Sequence, residues 1–164
     1  MPAIDVVRMR EYIEMMWEES VLPSLEDFIR IPAQSPGFDS DWESRGELDD
    51  VIELFSSWLD SIGLDGMSYD VHQIDGRSPV LIVEVAGSAP GDVLFYSHLD
   101  KQPPVTELWS EGKHPFEPVR EDPYLFGRGS VDDGYGGYLC ALAIKSLQEM
   151  GLSHPRCRFL IETC

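Results

Sequence analysis

The stretch DVLFYSHLDKQPP, Asp92 to Pro104, decides the reading of this chain. Val93, Leu94, Phe95 and Tyr96 form a short apolar run of the kind that fills a buried strand. Ser97, His98, Leu99 and Asp100 follow, and Pro103 and Pro104 cannot continue a sheet. The run therefore reads as a strand that ends on a histidine and a carboxylate, two residues apart. At that spacing both side chains point to one face of a strand. In open α/β sheets, ligands bind just beyond the carboxyl ends of strands. A histidine there can bind a metal through one ring nitrogen, while a carboxylate holds the other N–H and fixes the tautomer. A surface histidine beside a turn-starting aspartate has the same spelling, so this short motif alone leaves both readings open.

Outward from that strand the chain alternates helix and strand. DVVRMREYIEMMWEESVLPSLEDFIRI, Asp5 to Ile31, carries apolar residues at helical spacing, and Pro23 ends one helix or starts the next. Residues 32–46 read as loop from their Pro, Gly, Ser and Asp content. ELDDVIELFSSWLDSIG reads as a second helix, with Leu48, Ile52, Phe55, Trp58 and Leu59 on its apolar face and Gly63 as C-cap. MSYDVHQI alternates like a half-exposed strand, and PVLIVEVAG is a further strand before Asp92. A long loop is expected from Leu99 to about Leu125. GYGGYLCALAIKSLQEMG is apolar nearly all round and should be a buried helix closed by Gly151, and RCRFLIETC is a last strand. This order predicts an α/β domain without internal repeat or interdomain linker.

A second stretch, YLFGRGSVDDGYGGY, spans Tyr124 to Tyr138. Gly127 and Gly129 flank Arg128, which calls for a tight turn or a close approach of backbone. Asp132 and Asp133 then stand at the start of the apolar helix. One acid suffices to cap a helix and complement its dipole. Two adjacent acids beside a glycine-rich turn exceed that need, and a carboxylate can also bridge two cations. Between the two stretches lies a loop with Trp109, Pro115 and Phe116, long enough to wall a site.

The chain has 164 residues, 43% of them hydrophobic, enough for one domain with a core. Twelve basic and 30 acidic residues leave a formal charge of −18, which argues against nucleic acid or anionic lipid as partners. No apolar run approaches the roughly 20 residues of a membrane helix, and the opening MPAIDVVRMREY does not read as a secretion signal. Cys140, Cys157 and Cys164 are odd in number and show no CxxC spacing, which predicts reduced thiols in a cytoplasmic protein.

Taken together, the HLD stretch, the loop with Trp109, Pro115 and Phe116, and GRGSVDD resemble the di-zinc peptidase family. That family holds carnosinases, aminoacylases, glutamate carboxypeptidases and succinyl-diaminopimelate desuccinylases. The resemblance covers about the second half of the chain, and its carnosinase-like dipeptidase branch is the nearest. It implies a three-layer catalytic domain, a mixed sheet flanked by helices, of which residues 1–164 are the N-terminal portion. By that resemblance His98 ligates one zinc, Asp132 bridges both zincs, and Asp100 orients the His98 ring as a catalytic residue. Asp133 has no assigned metal role. Two zinc ions are implied, with manganese or cobalt as alternatives. The implied reaction is hydrolysis of an amide bond in a small peptide or acyl amino acid, and the implied parent is a homodimer.

The sequence departs from the family pattern twice. Gly134 follows the aspartate pair where the pattern has lysine. The pattern also carries a Glu-Glu pair shortly after the strand read here as CRFLIETC, one glutamate being the general base and the other a zinc ligand. Glu162 falls inside the strand, short of that position, and Glu117 and Glu121 match nothing in the motif. The reading is therefore a piece of a larger enzyme that lacks the lid or dimerisation domain and is inactive by itself. The alternative is a non-catalytic module of the same fold that binds a peptide or partner.

Overall fold

The structure, a computed structural model, describes residues 4–164. Met1 to Ala3 of the opening stretch lie outside it. Helix α1, Val6–Met16, starts where the Asp5 side chain accepts the Arg8 N–H. It runs through a π-helical turn, Trp17–Val21, into α2, Leu22–Arg30. In the π turn the Leu22 N–H reaches back five residues to the Trp17 carbonyl. Pro23 accounts for the widening: its ring crowds the carbonyl four residues earlier, and it has no N–H to give. The break expected at Pro23 is thus a bulge inside a continuous helical rod.

A short helix α3, Trp42–Arg45, precedes α4, Glu47–Ile62. Leu48, Val51, Ile52, Phe55, Trp58, Leu59 and Ile62 are buried along one face of α4, and Gly63 ends it in the left-handed conformation. Strands β1, Met67–His72, β2, Val80–Val85, and β3, Asp92–His98, follow. The long segment after β3 contains a 3₁₀ turn, Thr106–Leu108, and a small antiparallel hairpin, β4, Val119–Glu121, with β5, Tyr124–Phe126. Helix α5, Gly134–Glu149, and strand β6, Arg156–Glu162, complete the order.

The main sheet runs β1-β2-β6-β3. β2 lies antiparallel to both β1 and β6, and β6 lies parallel to β3, so the sheet is mixed. Leu81, Val83 and Val85 of β2 and Cys157, Phe159 and Ile161 of β6 face the helices and are buried. Their alternates, such as Ile82 and Leu160, lie on a more open face. Packing between layers centres on Tyr138 of α5, whose ring meets Phe55 edge-on at 4.9 Å and Trp58 at 4.5 Å. Its hydroxyl pairs with Ser24 Oγ at 2.9 Å.

Two expectations need correcting. β3 is an edge strand, so only alternate residues of its apolar run are covered; Leu94 is 69% and Tyr96 56% exposed. Helix α5 is buried along one side only. Gly137, Tyr138, Ala141, Leu142 and Ile144 face the core, whereas Leu139 is 42% exposed. In both cases an apolar sequence exceeds what one covered face can bury.

Candidate metal site

His98 is the last residue of β3, and its side chain turns toward two carboxylates. Its Nδ1 lies 3.1 Å from Asp100 Oδ1, and its Nε2 lies 3.2 Å from Asp132 Oδ1. Asp100 is 4% exposed and so can hold the ring firmly, while the Asp132 side chain is open to solvent. The hydrogen bond to Asp100, chiefly, pushes the His98 pKa up to about 9. With the proton kept on Nδ1, deprotonation leaves the Nε2 lone pair facing the Asp132 carboxylate. An imidazole nitrogen and a carboxylate oxygen aimed at one point form a donor pair suited to zinc.

The carboxyl end of β3 is tied on both sides. The Leu99 N–H donates to the Glu162 carbonyl of β6, and the Lys101 N–H donates to the Ala33 carbonyl of the segment after α2. Asp132 reaches the site because the chain doubles back ahead of α5. The Gly134 N–H donates to the Gly129 carbonyl at 2.9 Å, and the Ser130 N–H donates to the Gly127 carbonyl. Gly129 has φ +86°, and a Cβ there would stand 2.8 Å from the Phe28 ring and 2.9 Å from Lys101 Cε. A Cβ on Gly134 would meet the same ring at 2.3 Å. Glycine is what lets this turn rest directly on the end of α2. The Asp132–Asp133 peptide is cis. Asp133 precedes α5 but makes no side-chain cap; its carbonyl receives the Ser97 hydroxyl, which links the turn to β3.

The loop with Trp109 is anchored through Arg128. The Arg128 backbone N–H donates to the Pro115 carbonyl at 2.6 Å, and its guanidinium lies over the Trp109 ring at 5.7 Å. Glu162 stands opposite His98 in the β3–β6 register, and its carboxylate receives the Tyr96 hydroxyl proton. Among the described residues, no group of three or more His, Cys, Asp or Glu side chains is placed to hold one metal ion. Lys101 is the residue that sequence reasoning passed over. It is completely buried behind the site, and only its position directly after HLD could have drawn notice.

The sequence profile of peptidase family M20/M25/M40 matches residues 94–164. That segment holds the strand end, the wall loop, the aspartate turn and β6. Over that segment the chain is similar to that peptidase family. No curated protein sequence matches the chain. Among solved structures, human carnosine dipeptidase 1 superposes with a TM-score of 0.75 at 23% identity, over 99% of this chain and 35% of that one. The dipeptidase Dug1p of Saccharomyces cerevisiae gives 0.73 at 21%, over 96% and 34%. The M20 family metallo-carboxypeptidase Sso-CP2 of Sulfolobus solfataricus gives 0.71 at 22%, over 87% and 30%. At these identities the likeness is one of fold, and it takes in the N-terminal helices. The chain spans about a third of the length of each. No helix among the described residues is long and apolar enough to cross a membrane.

Proposed function

We propose that this chain is the metal-binding portion of an amide hydrolase that acts on dipeptides or N-acyl amino acids, on the carnosinase-like branch of the family. One observation carries the reading: His98 Nε2 and Asp132 Oδ1 converge to 3.2 Å, with Asp100 holding the far side of the ring. In this reading His98 is a zinc ligand, Asp132 bridges two ions, and Asp100 fixes the imidazole tautomer. Zinc bound there, or manganese or cobalt in its place, supplies polarisation of the scissile carbonyl and a more acidic water. His98 presents its Nε2 lone pair, Asp100 keeps the proton on Nδ1, and each oxygen of Asp132 can serve one cation.

Two side chains fall short of the three or four protein ligands that zinc sites use. Glu162 is unsuited to be the base, because its carboxylate is occupied by Tyr96. The 164 residues alone therefore bind zinc weakly and hydrolyse nothing. Titration of the chain with zinc, followed through the His98 ring signals, together with an assay on a simple dipeptide, tests both halves. A zinc-dependent change at His98 without turnover is the expected result. Tight binding of two ions, or turnover, overturns the claim of inactivity. A His98 ring indifferent to zinc overturns the metal site and leaves a peptide-binding module of this fold.

A further inference from the structure

Lys101 has no counterpart in the roles given above, yet it is 0% exposed and sits one residue beyond Asp100. Its ammonium donates to the carbonyls of Phe28 and Ile31, at the C-terminal end of α2. The same ammonium lies 3.8 Å from the centre of the Phe28 ring. A helix C-terminus, two carbonyls and an aromatic face all favour a cation. Its backbone is held as well, donating to the Ala33 carbonyl and accepting the Ser35 N–H at 3.0 Å.

Between these two fixed points, the lysine stem passes under the aspartate turn. A Cβ on Gly129 would lie 2.9 Å from Lys101 Cε and 3.3 Å from its Cγ, so the turn rests on the stem with no room to sink. The other support is the Phe28 ring, which the ammonium also engages. The stretch that delivers His98 and the turn that delivers Asp132 therefore meet on one side chain. Lys101 is continuous in the chain with the first and in contact with the second.

We propose that Lys101 is a positioning residue that sets the separation of His98 from Asp132, its ammonium pinning the stem to α2 so that the turn is held at fixed height. The bearing of this on metal affinity rests on the metal-site reading above; the bearing on the His98–Asp132 contact does not.

The test is a spectroscopic cycle on the metal-free chain. Asp132→Asn should move the His98 Nε2 resonance in the parent, because the two atoms are in contact. In a Lys101→Met background, which keeps the stem and removes the ammonium, the same substitution should leave that resonance nearly unmoved. In a Lys101→Arg background, which keeps a cation under α2, the shift should return. If Lys101→Met fails to fold, Lys101→Gln takes its place, its shorter amide being unable to reach both carbonyls from the same position. An Asp132→Asn shift of equal size in the parent and in the methionine or glutamine background overturns the proposal. A second arm measures zinc affinity. Lys101→Met should weaken it by about tenfold, the usual effect of disturbing the support of a ligand. Ile144→Val, a core change remote from the turn, should leave it unchanged. Failure of zinc to perturb His98 in the parent sinks the metal reading while the spectroscopic cycle still decides the role of Lys101.

Discussion

His98 and Lys101 are three residues apart and titrate in opposite senses. The bond to Asp100 raises the His98 pKa from 6.5 to about 9. Its folded value lies above its unfolded one, so its contribution to stability is complete below about pH 6.5 and disappears as pH rises through about 9. Burial lowers the Lys101 pKa from 10.5 to about 7, and there the unfolded chain binds the extra proton. Stability from this group therefore rises between about pH 7 and 10.5. The two slopes oppose each other from pH 7 to 9. Urea titrations across that range should show a nearly level profile for the parent, a rising one for His98→Gln and a falling one for Lys101→Met. Parallel profiles for all three proteins would refute the assignment. Zinc competes with the proton on His98, so its affinity should increase as pH is raised toward 9, and Asp100→Asn should move that increase to lower pH. His98, Asp100 and Asp132, which the fold brings together, were singled out in the sequence because a histidine and acids at a strand end and beside a glycine-rich turn stand out against their neighbours. Lys101 was not. A buried lysine is spelled like an exposed one, and its environment comes from Phe28 and Gly129, which are distant in sequence.

Helices α4 and α5 are held together by aromatic contacts whose cost can be measured. Phe55→Ala removes a fully buried ring against Tyr138 and should cost about 3–5 kcal/mol in urea unfolding. Tyr138→Phe removes only the hydroxyl bond to Ser24 and should cost about 1 kcal/mol. Ser24→Ala should add little on top of it, since the two groups share one bond. In β3 the alternation sets a sharper contrast. Leu94→Ser on the open face should lie within about 0.5 kcal/mol of the parent, while Phe159→Ala on the neighbouring strand should cost about 3–5 kcal/mol. Long helices and apolar strands were readable because their periodicity repeats over several turns or pleats. The β4–β5 hairpin was not, since each of its strands has three residues and hence less than two periods of any pattern. Edge or centre in a sheet is equally invisible locally. β3 reads as buried because what decides its exposure is which strand arrives beside it.

Across the whole molecule the acidic excess acts as a diffuse force. A formal charge of −18 on 164 residues favours expansion, and added salt screens that repulsion over roughly 10 Å at 0.1 M. The melting temperature should therefore rise with sodium chloride before it levels off; a fall would mean that ion pairs such as Arg156 with Asp92 outweigh the repulsion. The strand order has a different consequence, one of timing. β6 lies between β2 and β3, yet it leaves the ribosome after both. Until residues 156–162 emerge, β3 lacks its partner β6 and the β2 side of the β1–β2 hairpin is unpaired. His98 and Glu162 come into register only when the chain has run more than sixty residues past the histidine, so the site is assembled by the same late closure that finishes the fold.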